Sequence, residues 1–259
     1  MKRLILLIFV TAFYGQVFAL TPEELGLQIV QEVDRRDIGF GDTQSDMKMI
    51  LRNRRGDKSV RILKMKTLEV DGDGDKSLSV FSKPRDIKGT AFLSFTHALV
   101  PDEQWLYLPA LKRVKRISSS NKSGPYLGSE FAFEDLTSFE VSKYKYKHLR
   151  DEVFNEIDCF VVELYPQYKH SGYTRQITWI DKERYIPLKT DYYDRKNSLL
   201  KTLENKKYQQ YLGQYWRNDE MLMVNHQNGK STVLLWENYT FRNGFSDRDF
   251  DRNTLKRSR

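Results

Sequence analysis

The pattern of hydrophobic and polar positions changes period once, near residue 42. Before that point Leu25, Ile29 and Val33 recur at helical spacing. Thr21 precedes them as an N-cap, Pro22 holds the first helical position, and Glu24 completes a capping box. Together they predict one amphipathic helix ending between Asp37 and Gly41. After it the period is two. Met47, Met49 and Leu51 alternate with Lys48, Ile50 and Arg52, and Arg55-Gly56-Asp57-Lys58 turns the chain. A long strand over 60–70 runs back, and Asp71-Gly72-Asp73-Gly74-Asp75 turns it again into 78–81. Short strands separated by turn residues follow at 92–95, 104–108, 113–117, 159–165, 175–180, 188–193, 199–203, 220–225 and 232–236. The segment 127–139 has too few β-branched residues for a strand and reads as a loop or short helix. Ser246-Asp247-Arg248-Asp249 caps a final short helix carrying Phe250 and Leu255. A helix followed by regularly spaced strands predicts a mainly β fold with few helices, built as a sandwich, a barrel or one large curved antiparallel sheet. With no internal repeat, linker or composition break, residues 20–259 read as a single domain.

Several strands carry large apolar groups on both faces. Leu63 and Met65 point opposite to Val60, Ile62 and Leu68, and Trp105 and Tyr107 point opposite to Leu106 and Leu108. A one-sided sheet alternates more cleanly, so something covers each face, and one helix reaches only part of it. Two explanations fit: ordinary packing against the helix and loops, or a concave sheet that encloses a pocket for an apolar ligand. Composition strengthens the reading of strands, because 15 Tyr, 15 Phe and 4 Trp are spread from end to end.

The first residues say where the chain works. Lys2 and Arg3, the apolar run 4–10 and Val17-Phe18-Ala19 form a secretory signal, residues 1–19, with cleavage after Ala19. Leu20 and Thr21 stand where a lipobox would place Cys, so no lipid anchor is expected. No later stretch approaches the roughly 18 apolar residues of a membrane helix. Loss of Lys2 and Arg3 reduces 43 basic residues to 41 against 35 acidic ones, and the formal charge from +8 to +6. A mildly basic balance with interleaved signs suits transient contact with an anionic membrane surface or an acidic partner, and does not call for nucleic acid. The single Cys159 cannot form an internal disulfide and, followed by Phe160-Val161-Val162, reads as a small buried apolar residue.

Catalytic and metal signatures are missing. The chain has no G-x-S-x-G, H-E-x-x-H, C-x-x-C, P-loop or G-x-G-x-x-G sequence, and His97, His148, His170 and His226 have no metal-ligand spacing. No catalytic residue, metal ligand or cofactor is predicted. The acidic run 71–75 places carboxylates at positions 1, 3 and 5 of a calcium loop. However, Lys76 replaces the turn glycine and Ser82 the bidentate Glu, so a hairpin turn is the better reading. Asn121-Lys122-Ser123 and Asn238-Tyr239-Thr240 are sequons that matter only in a glycosylating host. Lys112-Arg113-Val114-Lys115-Arg116 reads as the solvated face of strands, with a polyanion or lipid headgroup as the alternative.

Four blocks carry a resemblance. Residues 83–93 (Lys83-Pro84-Arg85-Asp86-Ile87-Lys88-Gly89-Thr90-Ala91-Phe92-Leu93) and 105–117, which open on Trp105-Leu106-Tyr107-Leu108-Pro109, resemble the outer-membrane lipoprotein-sorting proteins of the LolA-like superfamily. Gly128-Ser129-Glu130-Phe131-Ala132-Phe133-Glu134-Asp135-Leu136 and Trp179-Ile180-Asp181 with Tyr185-Ile186-Pro187-Leu188-Lys189 resemble later blocks of the same family, in the same order. The resemblance implies a periplasmic protein with an incomplete antiparallel β-barrel, covered by helices, whose hollow takes the acyl chains of a lipid or lipoprotein. It also implies a membrane transporter of the RND/MMPL type as a partner. With apolar alternation, it assigns the cavity lining to Met47, Met49, Leu51, Leu63, Met65, Phe81, Phe92, Trp105, Tyr107, Phe131, Phe133 and Trp179, and a mobile lid to 127–139. The expected function is a carrier without chemistry that hands acyl chains between envelope membranes. A periplasmic envelope-stress sensor of the same fold and a hydrolase with an unrecognised site are the alternatives.

Overall fold

The computed structural model describes residues 19–253 and 255–257. Apart from Ala19, the predicted signal peptide lies outside the described residues. Helix α1 (Pro22–Asp37) starts on the predicted capping box: the Glu24 amide donates to Thr21 Oγ1 at 3.2 Å, and the Thr21 amide to Glu24 Oε2 at 2.8 Å. Its apolar stripe, with Ile29 and Val30 buried, packs on Tyr146, Val162, Leu164 and Ile180 of the sheet. Gly26 allows the contact to be close, because a Cβ there would sit 2.7 Å from the His148 backbone nitrogen. At the helix end Gly39 and Gly41 take φ of 94° and 79°, turn the chain into the sheet, and donate their amides to the Glu69 carboxylate at 2.6 Å each.

The strands are β1 (Asp42–Arg52), β2 (Lys58–Leu68), β3 (Lys76–Lys83), β4 (Ala91–Phe95), β5 (Glu103–Leu108), β6 (Arg113–Ile117), β7 (Tyr144–Phe154), β8 (Ile157–Pro166), β9 (Tyr173–Asp181), β10 (Pro187–Asp194), β11 (Leu199–Tyr211), β12 (Tyr215–Asn225) and β13 (Ser231–Phe241). Among the described residues these thirteen form one antiparallel sheet in the order β6-β5-β4-β3-β2-β1-β13-β12-β11-β10-β9-β8-β7. Two meanders, β1–β6 and β7–β13, therefore join where β1 pairs with β13. Because β6 and β7 are the two edges, the sheet stays open, and the 26 residues that link them must cross one of its faces. That link, residues 118–143, is called the strap below.

Cross-strand partners share a face, so the register sorts the side chains. Met47 pairs with Leu63 and Trp236, Leu63 with Phe81, Phe92 with Leu106, and Leu234 with both Met49 and Met221. These residues belong to one apolar cluster on the concave face, which the strap enters with Tyr126, Phe131 and Phe133. The opposite, convex parity holds Leu78, Leu93 and Trp105. The C-terminal tail covers it: Phe250 and Leu255, each 1% exposed, pack on that patch. The Asp42 carboxylate pins the tail by accepting from the amides of Asn243, Gly244 and Phe245 at 2.7, 2.9 and 3.1 Å.

Three features differ from the pattern-based expectation. Strand β7 was not predicted, although Tyr144 and Tyr146 alternate with Lys145 and Lys147 there. Strands β11, β12 and β13 are 13, 11 and 11 residues long, since ladder pairing continues through polar stretches that carry no apolar signal. The final helix is instead two separate 3-10 turns, Asp247–Phe250 and Leu255–Arg257, the first capped by Ser246 and Asp249 as expected. Cys159 is fully buried, and 71–75 falls in the β2–β3 turn, both as read from the sequence.

Candidate functional site

The concave face is built from adaptable side chains. All five methionines that follow the initiator, Met47, Met49, Met65, Met221 and Met223, sit in or against its central cluster, on β1, β2 and β12, with β13 between β1 and β12. Methionine has no branch and a polarizable sulfur, so such a wall reshapes around a guest at little cost. Aromatic groups fill the β3–β5 side: Tyr126 lies 5.2 Å from Phe92 and 5.6 Å from Phe133, centroid to centroid, both edge-on. The strap supplies two of those three rings. Its Tyr126 hydroxyl is buried, and burial pushes its pKa above the usual phenol range against the opposing pull of Ser79 and Arg61.

Polar clasps hold the strap in place. Asp102, which precedes β5, pairs with Lys122 near the start of the strap and with Lys143 at its end, the latter at 2.6 Å. Burial raises the Asp102 pKa, but the hydrogen bonds from the two lysines outweigh it and hold the carboxyl below its ordinary value. At the strap's middle, Asp135 pairs with Lys201 of β11 at 2.6 Å, with side chains 3% and 4% exposed, and accepts from Tyr173 Oη at 2.7 Å. Arg61 donates to the Leu127 carbonyl. Glu134 accepts from the Gly172 amide at 2.8 Å and from Tyr168 and Ser171 at 3.0 Å each.

Between the strap's last turn, the end of α1 and the sheet, a cavity of about 570 Å³ remains open. Its floor is apolar, with Phe40, Met65, Ile186, Trp216, Trp236 and Tyr239. Its size falls among ligand sites, roughly 300–1,000 Å³. Asp34, Asp37, Glu69, Asp73, Asp75 and Glu140 surround the mouth, with Arg36, Arg184 and Arg217 among them. Asp75 is the most perturbed of these carboxyls: burial first, then the charges of Glu140, Glu69 and Asp37, push its pKa up to about 7 against the Val70 backbone hydrogen bond. A second cleft of about 570 Å³ lies between the strap and the tips of β10–β13, where Glu130, Arg195, Lys196, Lys201, Asn225 and Lys230 stand among apolar groups such as Phe131 and Leu200.

The twelve residues assigned to the lining divide into three sets. Met47, Met49, Leu51, Leu63, Met65, Phe81, Phe92, Phe131 and Phe133 share the concave cluster. Of these, Met65 reaches the open cavity and Phe131 the second cleft. Trp105 and Tyr107 lie on the convex face under the C-terminal tail, and Trp179 lies in a separate cluster with Val161 and Leu188, on the opposite side of β9 from Ile180. On β5 and β9 the inward residues are their neighbours, Leu106 and Ile180. Of the cavity floor, sequence reasoning found Met65 alone. Trp236 could have been found from period two in β13, whereas Phe40 stands in the irregular link before β1 and carries no local signal.

The architecture places the molecule among LolA-superfamily folds. A LolA superfamily protein from Nitrosomonas europaea superposes with a TM-score of 0.71 at 19% identity, over 91% of this chain and 99% of that one. A domain assigned to outer membrane lipoprotein-sorting proteins, from Vibrio parahaemolyticus, is 56% identical, with a TM-score of 0.89 over 90% of this chain and 99% of that one. A DUF1329 family protein from Desulfovibrio piger is 31% identical, with a TM-score of 0.86 over 91% and 100%. The model of a family of uncharacterized proteins matches residues 73–257. Nothing among curated proteins matches the chain. At these identities and coverages the chain belongs to the family of the lipoprotein-sorting domain and the DUF1329 protein. Among the described residues, no helix is long and apolar enough to cross a membrane.

Proposed function

We propose that the protein carries lipid or lipoprotein acyl chains through the periplasm, as a binding module that performs no chemistry. The observation that carries this reading is the methionine-lined concave face, with its open apolar cavity and the strap laid across it. An acyl chain left in water costs about 0.8 kcal/mol per methylene, so a long one needs an apolar host to cross an aqueous gap. The family relationship to a lipoprotein-sorting domain supports the same cargo class. Tyr126, Phe131 and Phe133 occupy the space beside the cavity, and a full-length chain gains room when the strap withdraws them. Loading and release then depend on a partner that prefers one strap position, for which an RND- or MMPL-type exporter is our candidate.

The test is uptake of a fluorescent fatty acid by delipidated protein, together with native mass spectrometry of protein from its own host. The Glu130 amide bonds Thr232 Oγ1 at 3.0 Å, so Glu130→Cys with Thr232→Cys can fasten the strap to β13. Uptake by the reduced pair and its loss on oxidation are expected. Uptake unchanged by oxidation removes the strap from the mechanism, and an empty protein that takes up no acyl probe ends the carrier reading.

A further inference from the structure

Five hairpin turns, β1–β2, β3–β4, β5–β6, β10–β11 and β12–β13, fall at one end of ten adjacent strands, because consecutive strands in this sheet are antiparallel neighbours. They form a continuous arc in two places at least: Gly229 lies against the Arg54 side chain, where a Cβ would meet Cγ at 3.3 Å, and Gly89 lies against the Pro109 ring at 3.4 Å. The arc is basic. Arg54 and Arg55 stand on the first turn, Arg85 and Lys88 on the second, and Lys112 on the third, all exposed. Arg195, Lys196 and Lys230 extend the charge along the last two turns. The acidic residues of these turns are Asp57 and Asp86.

Among the described residues, the one ion pair recorded within these turns is Arg55–Asp57 at 3.4 Å, with side chains 85% and 65% exposed, which neutralises little. Arg195 donates to neutral acceptors, including the Ser171 carbonyl at 3.1 Å, and keeps its charge. Leu111, 62% exposed, stands beside Lys112 at the tip of the β5–β6 turn. At the other end of the same strands, the β2–β3 turn carries Glu69, Asp71, Asp73 and Asp75 instead. The molecule is thus charged oppositely at its two ends.

We propose that the basic arc docks on the surface of an anionic phospholipid bilayer. A row of turns that projects guanidinium and ammonium groups, with one apolar side chain among them, matches the charge and extent of a lipid surface better than a single small anion. The acidic end is repelled by the same surface, so docking orients the molecule with the acidic cavity mouth away from the lipid. This attachment is independent of whether the cavity holds cargo.

The test is flotation of the full chain with phosphatidylcholine vesicles, with and without phosphatidylglycerol. Binding that requires phosphatidylglycerol and weakens with salt is expected. The variant Arg54→Glu/Arg85→Glu/Lys88→Glu/Lys112→Glu should bind at least about tenfold more weakly, with uptake of a fluorescent fatty acid unchanged. A control that reverses Lys48, Lys64, Lys207 and Arg252 should bind as the natural chain does. Absence of flotation, equal flotation by the arc variant, or equal loss in the control overturns the proposal. Retention on heparin without flotation also overturns it and assigns the arc to a soluble polyanion. Failure of acyl uptake alone would count against the carrier reading and leave the docking result standing.

Discussion

The concave and convex faces of the β3–β5 region each carry an apolar cluster, yet they are covered by different means. On the convex face a short tail inserts Phe250 and Leu255 against Leu93 and Trp105, and is tied down by its backbone amides on Asp42 and by an exposed ion pair, Lys76–Asp247. On the concave face a strap inserts Tyr126, Phe131 and Phe133 and is held by buried ion pairs at its ends and middle. Apolar packing is non-directional and closes a surface, whereas charge pairs specify position and can be released by a competing partner or a proton. Among the described residues, buried ion pairs hold the strap on the face with the cavity, whereas the tail's ion pair to the sheet, Lys76–Asp247, is solvent-exposed.

The largest effect expected from breaking this contrast is at Asp102. Asp102→Ala leaves Lys122 and Lys143 buried without their carboxylate, at a cost of about 5 kcal/mol. Hydrogen exchange should quicken throughout 118–143 while the tail stays protected; uniform loss of protection would erase the distinction between the covers. Phe250→Ala, on the other face, should cost about 3 kcal/mol by cavity formation. It should leave acyl uptake intact, and a drop in uptake at full folding would show that the faces are coupled.

A smaller, pH-dependent effect separates two carboxyls near the cavity. The Asp75 pKa is raised to about 7 in the folded protein, so its contribution is fully present below the unfolded value and is lost as pH rises through 7. Asp75→Asn should therefore stabilise the protein by about 2 kcal/mol at pH 8 and by nothing near pH 3, read from thermal unfolding across pH. Asp102 has the opposite sign. Its pKa is lowered in the fold, so its contribution is present above the unfolded value and is lost as pH falls through the folded one. A stability gain for Asp75→Asn that is the same at both pH values would assign the effect to packing.

Local chemistry made much of the fold legible. The capping box at Thr21 and Glu24, the alternation of Met47, Met49 and Leu51, and the turn at 71–75 all declare themselves within a few residues. Strand β7 escaped because its first half alternates Tyr144, Tyr146 and His148 with Lys145 and Lys147, which resembles a polar loop in hydropathy. The candidate site was half legible. Parity placed the residues chosen on β1–β4 in the concave cluster and failed on β5 and β9, where both parities are apolar.

From the sequence alone followed one helix, a meander of strands with two apolar faces, and the lack of familiar catalytic motifs, because each depends on neighbours along the chain. Which apolar parity faces the hollow depended on elements far away in sequence. The tail around Phe250 claims the side of Trp105, and the strap claims the side of Leu106. That the strap must cross the hollow at all depended on the pairing of β1 with β13, which sends β6 and β7 to opposite edges. The basic arc and the acidic mouth exist only once that pairing aligns turns as far apart in sequence as those of Arg54 and Lys230, since charge acts through space and not along the chain.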